Sequence, residues 1–116
     1  EVLETDKVKI TYVSNGEYKD SEYSPPSEGY EIIYIEVKVE NLTDSNIFVS
    51  QGNFDCYADN EAMSAPFLGE RLYTDISSGR FASGKVFFEV PISAKKIEVE
   101  YTKDSQGRKN PVFVVK

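Results

Sequence analysis

The stretch YEIIYIEVKVENL, residues 30–42, carries the longest clean alternation in the chain. Ile33, Ile35, Val37 and Val39 fall on one side, and Tyr34, Glu36, Lys38 and Glu40 on the other. A period of two predicts a β-strand with one dry face and one wet face. At about 3.3 Å per residue, eleven extended residues span roughly 36 Å, enough to cross a whole small sheet. Such a strand needs neighbours to pair with and a second apolar layer to cover its dry face.

Two other segments repeat the pattern strongly. FASGKVFFEV (81–90) places Val86, Phe88 and Val90 on one face and Lys85, Phe87 and Glu89 on the other, and Pro91 ends its pairing. KIEVEY (96–101) turns Ile97, Val99 and Tyr101 inward. These two are the expected partners of the 30–42 strand. KVKITYV (7–13) is a first strand with Val8, Ile10 and Tyr12 on one face, closed by the turn pair Asn15-Gly16. Shorter strands are expected at 47–50 and 54–58, with a kink near Gly52. Asp59-Asn60-Glu61 turns the chain into a short return over 62–66. Residues 67–80 read as a short strand or one helical turn crossing between sheets, with Leu68, Leu72 and Ile76 spaced by four. Ser105-Gln106-Gly107 marks a hairpin turn, and 112–116 closes the chain with Phe113 and Val115 inward. Residues 17–29, EYKDSEYSPPSEG, have no hydrophobic period and contain Pro25-Pro26. They read as an exposed loop joining strands of different sheets. The sum is an all-β chain, an antiparallel β-sandwich of seven to eight strands forming one domain over residues 1–116.

Composition narrows the function classes. A net charge of −7 argues against nucleic acid, whose phosphates need Lys and Arg, and against an anionic membrane surface. No segment approaches the roughly 18 apolar residues of a membrane span. One Cys excludes a disulfide within the chain, and Cys56 among strand residues reads as a buried free thiol. The chain opens on Glu1 without a secretory leader, as expected of a mature or trimmed piece whose signal segment has been removed.

Catalytic chemistry finds little to work with. There is no His to activate a nucleophile. Ser83–Lys85 and Ser93–Lys95 have same-face spacing but read as surface decoration. Glu36, Glu40, Glu98 and Glu100 alternate with apolar residues and should face water, unlike the buried acid that glycoside hydrolysis needs. Zinc lacks ligands. The densest oxygen cluster, Asp55, Asp59 and Glu61 with Asn60, lacks the spacing and glycine of an EF-hand loop, although cation binding there stays open. No Gly-rich phosphate loop or other cofactor motif is present. Asn41-Leu42-Thr43 matches the N-glycosylation acceptor pattern. Aromatics carry the binding signal. Tyr34, Tyr57 and Phe87 are expected on outer strand faces, and exposed aromatics in one patch mark a binding surface. Tyr18 and Tyr23 lie in the 17–29 loop, where an aromatic serves either as a contact residue or as a lid on the core edge.

GYEIIYIEVKVEN (29–41), ISSGRFASGKVFFEVP (76–91) and KKIEVEY (95–101), in that order, resemble a family of small immunoglobulin-like domains of unknown function found in secreted and lipid-anchored proteins of Gram-positive bacteria. Gly29, Asn41, Phe54, Gly79, Gly84, Phe88, Val90 and Pro91 match its pattern. Asp59-Asn60-Glu61 stands where that pattern has a Gly-containing turn. The resemblance implies an immunoglobulin-like sandwich similar in architecture to a secreted mycobacterial immunogenic protein, export to the extracellular side, and no catalytic residues. The expected function is a non-catalytic module acting by protein–protein contact or as a spacer. The alternative is a carbohydrate or cell-wall glycan binder using Tyr34, Tyr57 and Phe87.

Overall fold

The computed structural model describes residues 2–4, 7–18, 28–65, 71–101 and 112–115. In chain order the strands are β1 (Val2–Glu4), β2 (Val8–Glu17), β3 (Tyr30–Asn41), β4 (Ile47–Ser50), β5 (Phe54–Ala58), β6 (Glu61–Ala62), β7 (Tyr73–Ile76), β8 (Phe81–Pro91), β9 (Ile97–Tyr101) and β10 (Val112–Val114). A 3-10 turn, Gln51–Asn53, takes the place of the kink expected at Gly52. The protein is an all-β antiparallel sandwich, with more strands among the described residues than the seven or eight expected. One four-stranded sheet has the order β1-β2-β3-β8, the other β10-β9-β5-β6, and β4 and β7 form a separate two-stranded ribbon.

The long alternating strand β3 lies inside the first sheet. It pairs with β8 without a break, from Tyr30 opposite Pro91 to Glu40 opposite Phe81. Ile35, Val37 and Val39 are fully buried, as are Val86 and Val90 beside them. They meet Phe54, Cys56, Ile97, Val99, Tyr101 and Phe113 of the second sheet in one core. Removing this apolar surface from water at roughly 25 cal/mol per Å² is what holds the two layers together.

Three expectations about connectivity are corrected. The 96–101 segment does not pair with β3; β9 pairs with β5 across the core, and β2 occupies the other edge of β3. Residues 17–29 therefore link adjacent strands of one sheet rather than two sheets. Asn15-Gly16 is no turn. Val13 is an extra residue at a bulge between the pairs Tyr12–Val37 and Ser14–Glu36, and β2 continues to Glu17. Turn propensity yields here because continuing the ladder pairs four more residues with β3.

The outer edge of β8 is closed by pieces from elsewhere. The Gln51 side chain accepts a hydrogen bond from the Phe87 N–H at 2.7 Å and donates to the Phe87 carbonyl at 3.1 Å, imitating a neighbouring strand. Ser64 accepts from the Glu89 N–H, and Leu72 donates to the Lys85 carbonyl. Leu72 reaches over Gly84, where a Cβ would sit 2.6 Å from its Cδ1. Val115 is half-buried against the core, and Phe113 is buried, as expected. Residues 66–70, the 105–107 turn and Lys116 lie outside the described residues.

Candidate functional site

The outer face of the first sheet receives Tyr34 and Phe87 directly opposite each other on β3 and β8. They do not form an open surface. Phe87 is 0% exposed, which corrects the expectation of an accessible ring. Tyr18 lies over it edge-on, with ring centroids 5.1 Å apart, and Ile32 beside it is buried too. Tyr34 is half-buried and leans on Gly16, where a Cβ would meet its ring at 2.8 Å. Lys85 places its ammonium 4.6 Å above the Tyr34 ring. Two strands and the start of the 17–29 segment thus build a small second core outside the sandwich. Alternation predicted the face; it did not predict what covers it. Tyr23 lies outside the described residues.

Tyr57 is not part of this group. It lies on the outer face of β5, opposite Glu98, with the core between it and Tyr34. Packed sheets stand about 10 Å apart, so no ligand ring spans the three predicted aromatics on one surface. The neighbouring Glu100 carboxylate, with smaller contributions from burial and Asp55, pushes the Tyr57 phenol up from its ordinary value. The three-aromatic platform is therefore corrected: Tyr34 and Phe87 lie side by side on β3 and β8 with Tyr18 over Phe87, and Tyr57 lies on the opposite face.

The acidic group at residues 55–61 has a structural use for one member. Asp59 and Asn60 both adopt positive φ, 50° and 72°, as the two-residue hairpin between β5 and β6 demands. The Asp59 carboxylate accepts the backbone N–H of Lys96 at 2.9 Å and of Lys95 at 3.2 Å. That is what an Asp offers here and a Gly would not. Among the described residues no three acidic or thiol side chains are grouped to hold a metal ion.

Asn41 is fully buried, and all its amide capacity is used. Its Nδ2 donates to the carbonyls of Ser45 and Ile76, both at 2.8 Å, and its Oδ1 accepts from the N–H and hydroxyl of Thr43. The glycosylation pattern at 41–43 is thus a buried clamp joining the end of β3 to the ribbon. Cys56 is buried, and desolvation pushes its thiol up to about 12, far from a reactive thiolate.

An exposed aromatic pair lies on the β4–β7 ribbon. Val49 and Ile76 turn inward, which leaves Phe48, Tyr73 and Asp75 outward. Tyr73 is 68% exposed and Phe48 40%. Their rings meet edge-to-face, with centroids 4.8 Å apart at 82°. The Arg71 guanidinium lies 5.8 Å from the Tyr73 ring centre. Sequence reasoning missed this pair. Phe48 does alternate with Ile47 and Val49, but Tyr73 fell in the segment whose strand character was unsettled, and their pairing needs the ribbon.

Residues 3–111 match a family model described as a domain of unknown function (DUF4352). No curated protein matches the chain. Among solved structures, a candidate lipoprotein of Bacillus subtilis (ycdA) superposes with a TM-score of 0.83 at 20% identity. That match covers 98% of this chain but 38% of the lipoprotein, so the chain spans under two-fifths of its length. The yjhA protein of Bacillus subtilis gives 0.72 at 17% identity, covering 100% of this chain and 95% of that one. An uncharacterised β-sandwich protein of Clostridium difficile gives 0.59 at 15%, covering 100% and 90%. Similarity at these identities shows the fold. Among the described residues no helix is long and apolar enough to cross a membrane.

Proposed function

The chain belongs to the family described as a domain of unknown function (DUF4352), and from that premise we propose that it is a non-catalytic, immunoglobulin-like binding module of an exported protein, secreted or lipid-anchored, that contacts another protein through the Phe48–Tyr73 face of its ribbon. The observation that carries this reading is the pair itself. Two large rings stay in water on a ribbon outside the two main sheets, while the other described aromatic groups are packed under neighbours or stand singly. The likeness to a candidate lipoprotein of Bacillus subtilis supports export. The absence of His from the chain and the buried, high-pKa Cys56 support a role without nucleophilic catalysis.

The 82° angle between the rings favours a protein partner over a sugar. A hexose stacks on a flat ring surface, whereas an edge-to-face pair offers one face and one edge, as apolar and Arg side chains use in protein interfaces. The test is a photoreactive residue at Ser50 or Asp75, flanking the pair, in the parent protein on intact cells. A protein adduct that disappears on Tyr73→Ala is the expected result. Adducts indifferent to Tyr73→Ala and Phe48→Ala, or binding only to purified cell-wall glycan, would sink the reading.

A further inference from the structure

The bulge at Val13 changes what lines the rim at one end of the sandwich. Uninterrupted alternation after Val8, Ile10 and Tyr12 would turn Ser14 and Gly16 inward. With Val13 as the extra residue, Asn15 pairs with Ile35 and Glu17 with Ile33, so both take the inward phase of those residues. Glu31, two residues before Ile33 on β3, shares that phase. Asn15, Glu17 and Glu31 line a cavity of about 200 Å³, and Ile33, Ile97 and Val115 form its apolar wall. Both sheets contribute: Val115 donates its N–H to the Ile97 carbonyl, fixing the far wall. Bulges recur where a side chain must be re-aimed, and this one places an exposed amide and an exposed carboxylate at the open rim of a layer that is almost wholly apolar inside.

Among the described residues neither the Glu17 nor the Glu31 carboxylate has an ion-pair or hydrogen-bond partner. The Asn15 amide nitrogen donates to the Tyr12 hydroxyl, leaving its oxygen as an acceptor. Two carboxylates and an amide oxygen above aliphatic side chains are complementary to a primary ammonium on an aliphatic stem. Calcium or magnesium fits less well, because a hard cation needs six or more oxygens and gains nothing from Ile and Val.

We propose that this cleft between the sheets binds an aliphatic primary ammonium, such as a lysine side chain or a free alkylamine, its stem against Ile33, Ile97 and Val115 and its ammonium between Glu17 and Glu31. The site is separate from the ribbon and independent of its reading.

The experiment is an amide-resolved NMR titration with three probes. They are a short peptide with blocked ends and one lysine, cadaverine, and the same peptide with norleucine for lysine. Shifts at Asn15, Glu31, Ile33, Ile97 and Val115 with the lysine peptide, with cadaverine or with both are expected, at a dissociation constant on the order of 1 mM for so small a ligand. The peptide and the free amine separate the two sources of the ammonium. The double substitution Glu17→Gln, Glu31→Gln should weaken binding by about tenfold while leaving the amide spectrum elsewhere unchanged. No shifts at the cleft with either amine, equal binding of the norleucine peptide, or undiminished binding to the double variant would overturn the proposal.

Discussion

Two aromatic pairs in this protein have the same origin and opposite fates. Tyr34 and Phe87 project from the outer face of the first sheet, and Phe48 and Tyr73 from the outer face of the ribbon. In the folded chain each is an aromatic on the outward phase of a strand. The first pair is enclosed, by Tyr18 above Phe87, by Gly16 beneath the Tyr34 ring and by Gln51 bridging the Phe87 backbone. The second meets edge-to-face with Arg71 nearby, and Tyr73 stays 68% exposed. An outward phase therefore says which side a ring leaves the sheet; whether it stays in water depends on the chain that passes over it.

The sharpest way to break that comparison is Phe87→Ala. Emptying an enclosed site costs about 3–5 kcal/mol, and urea denaturation should show it as a lower midpoint with little change in slope. A cost below about 1 kcal/mol would mean that Phe87 is not enclosed in solution. Gln51→Leu is expected next, at about 2–4 kcal/mol, because the Phe87 N–H and carbonyl would both lose buried partners. Hydrogen exchange at the Phe87 amide should rise at the same time.

Gly16→Val drives a side chain into the Tyr34 ring and should cost about 1–3 kcal/mol. Combined with Tyr34→Ala, the valine should cost clearly less than it does alone, since the ring it meets is gone. An additive double variant would show that Tyr34 does not rest on Gly16. At the small end, Tyr73→Ala should change stability by no more than about 0.5–1 kcal/mol, the worth of an exposed aromatic contact. It should nonetheless abolish the adduct formed from the ribbon face. A large stability loss there would make the ribbon pair structural and erase the contrast with Phe87.

Much of the fold was legible, and the reason is the period-two pattern. Residues 30–42 and 81–90 show their strands and inward residues in the sequence, because half-buried antiparallel strands write burial directly into alternation. The Asp59-Asn60 turn was legible because positive φ selects few residue types. Pairing partners were less accessible. The 7–13 and 96–101 segments have similar alternation, and nothing local says which of them lies beside β3 and which faces it across the core.

The candidate sites were least legible. Asn41 looked like a modification acceptor because its three-residue pattern contains no information about burial. Asn15-Gly16 looked like a turn because local propensity dominates wherever long-range pairing is unknown. The sequence alone determined that this chain makes an antiparallel sandwich with a dry inner layer, since alternation and turn chemistry are local properties of neighbouring residues. Only the tertiary structure decided that Phe87 is covered, that Phe48 and Tyr73 meet, and that a bulge turns Glu17 toward the cleft. Each of those depends on contacts between residues distant in the chain, set by which strands pair and in which register.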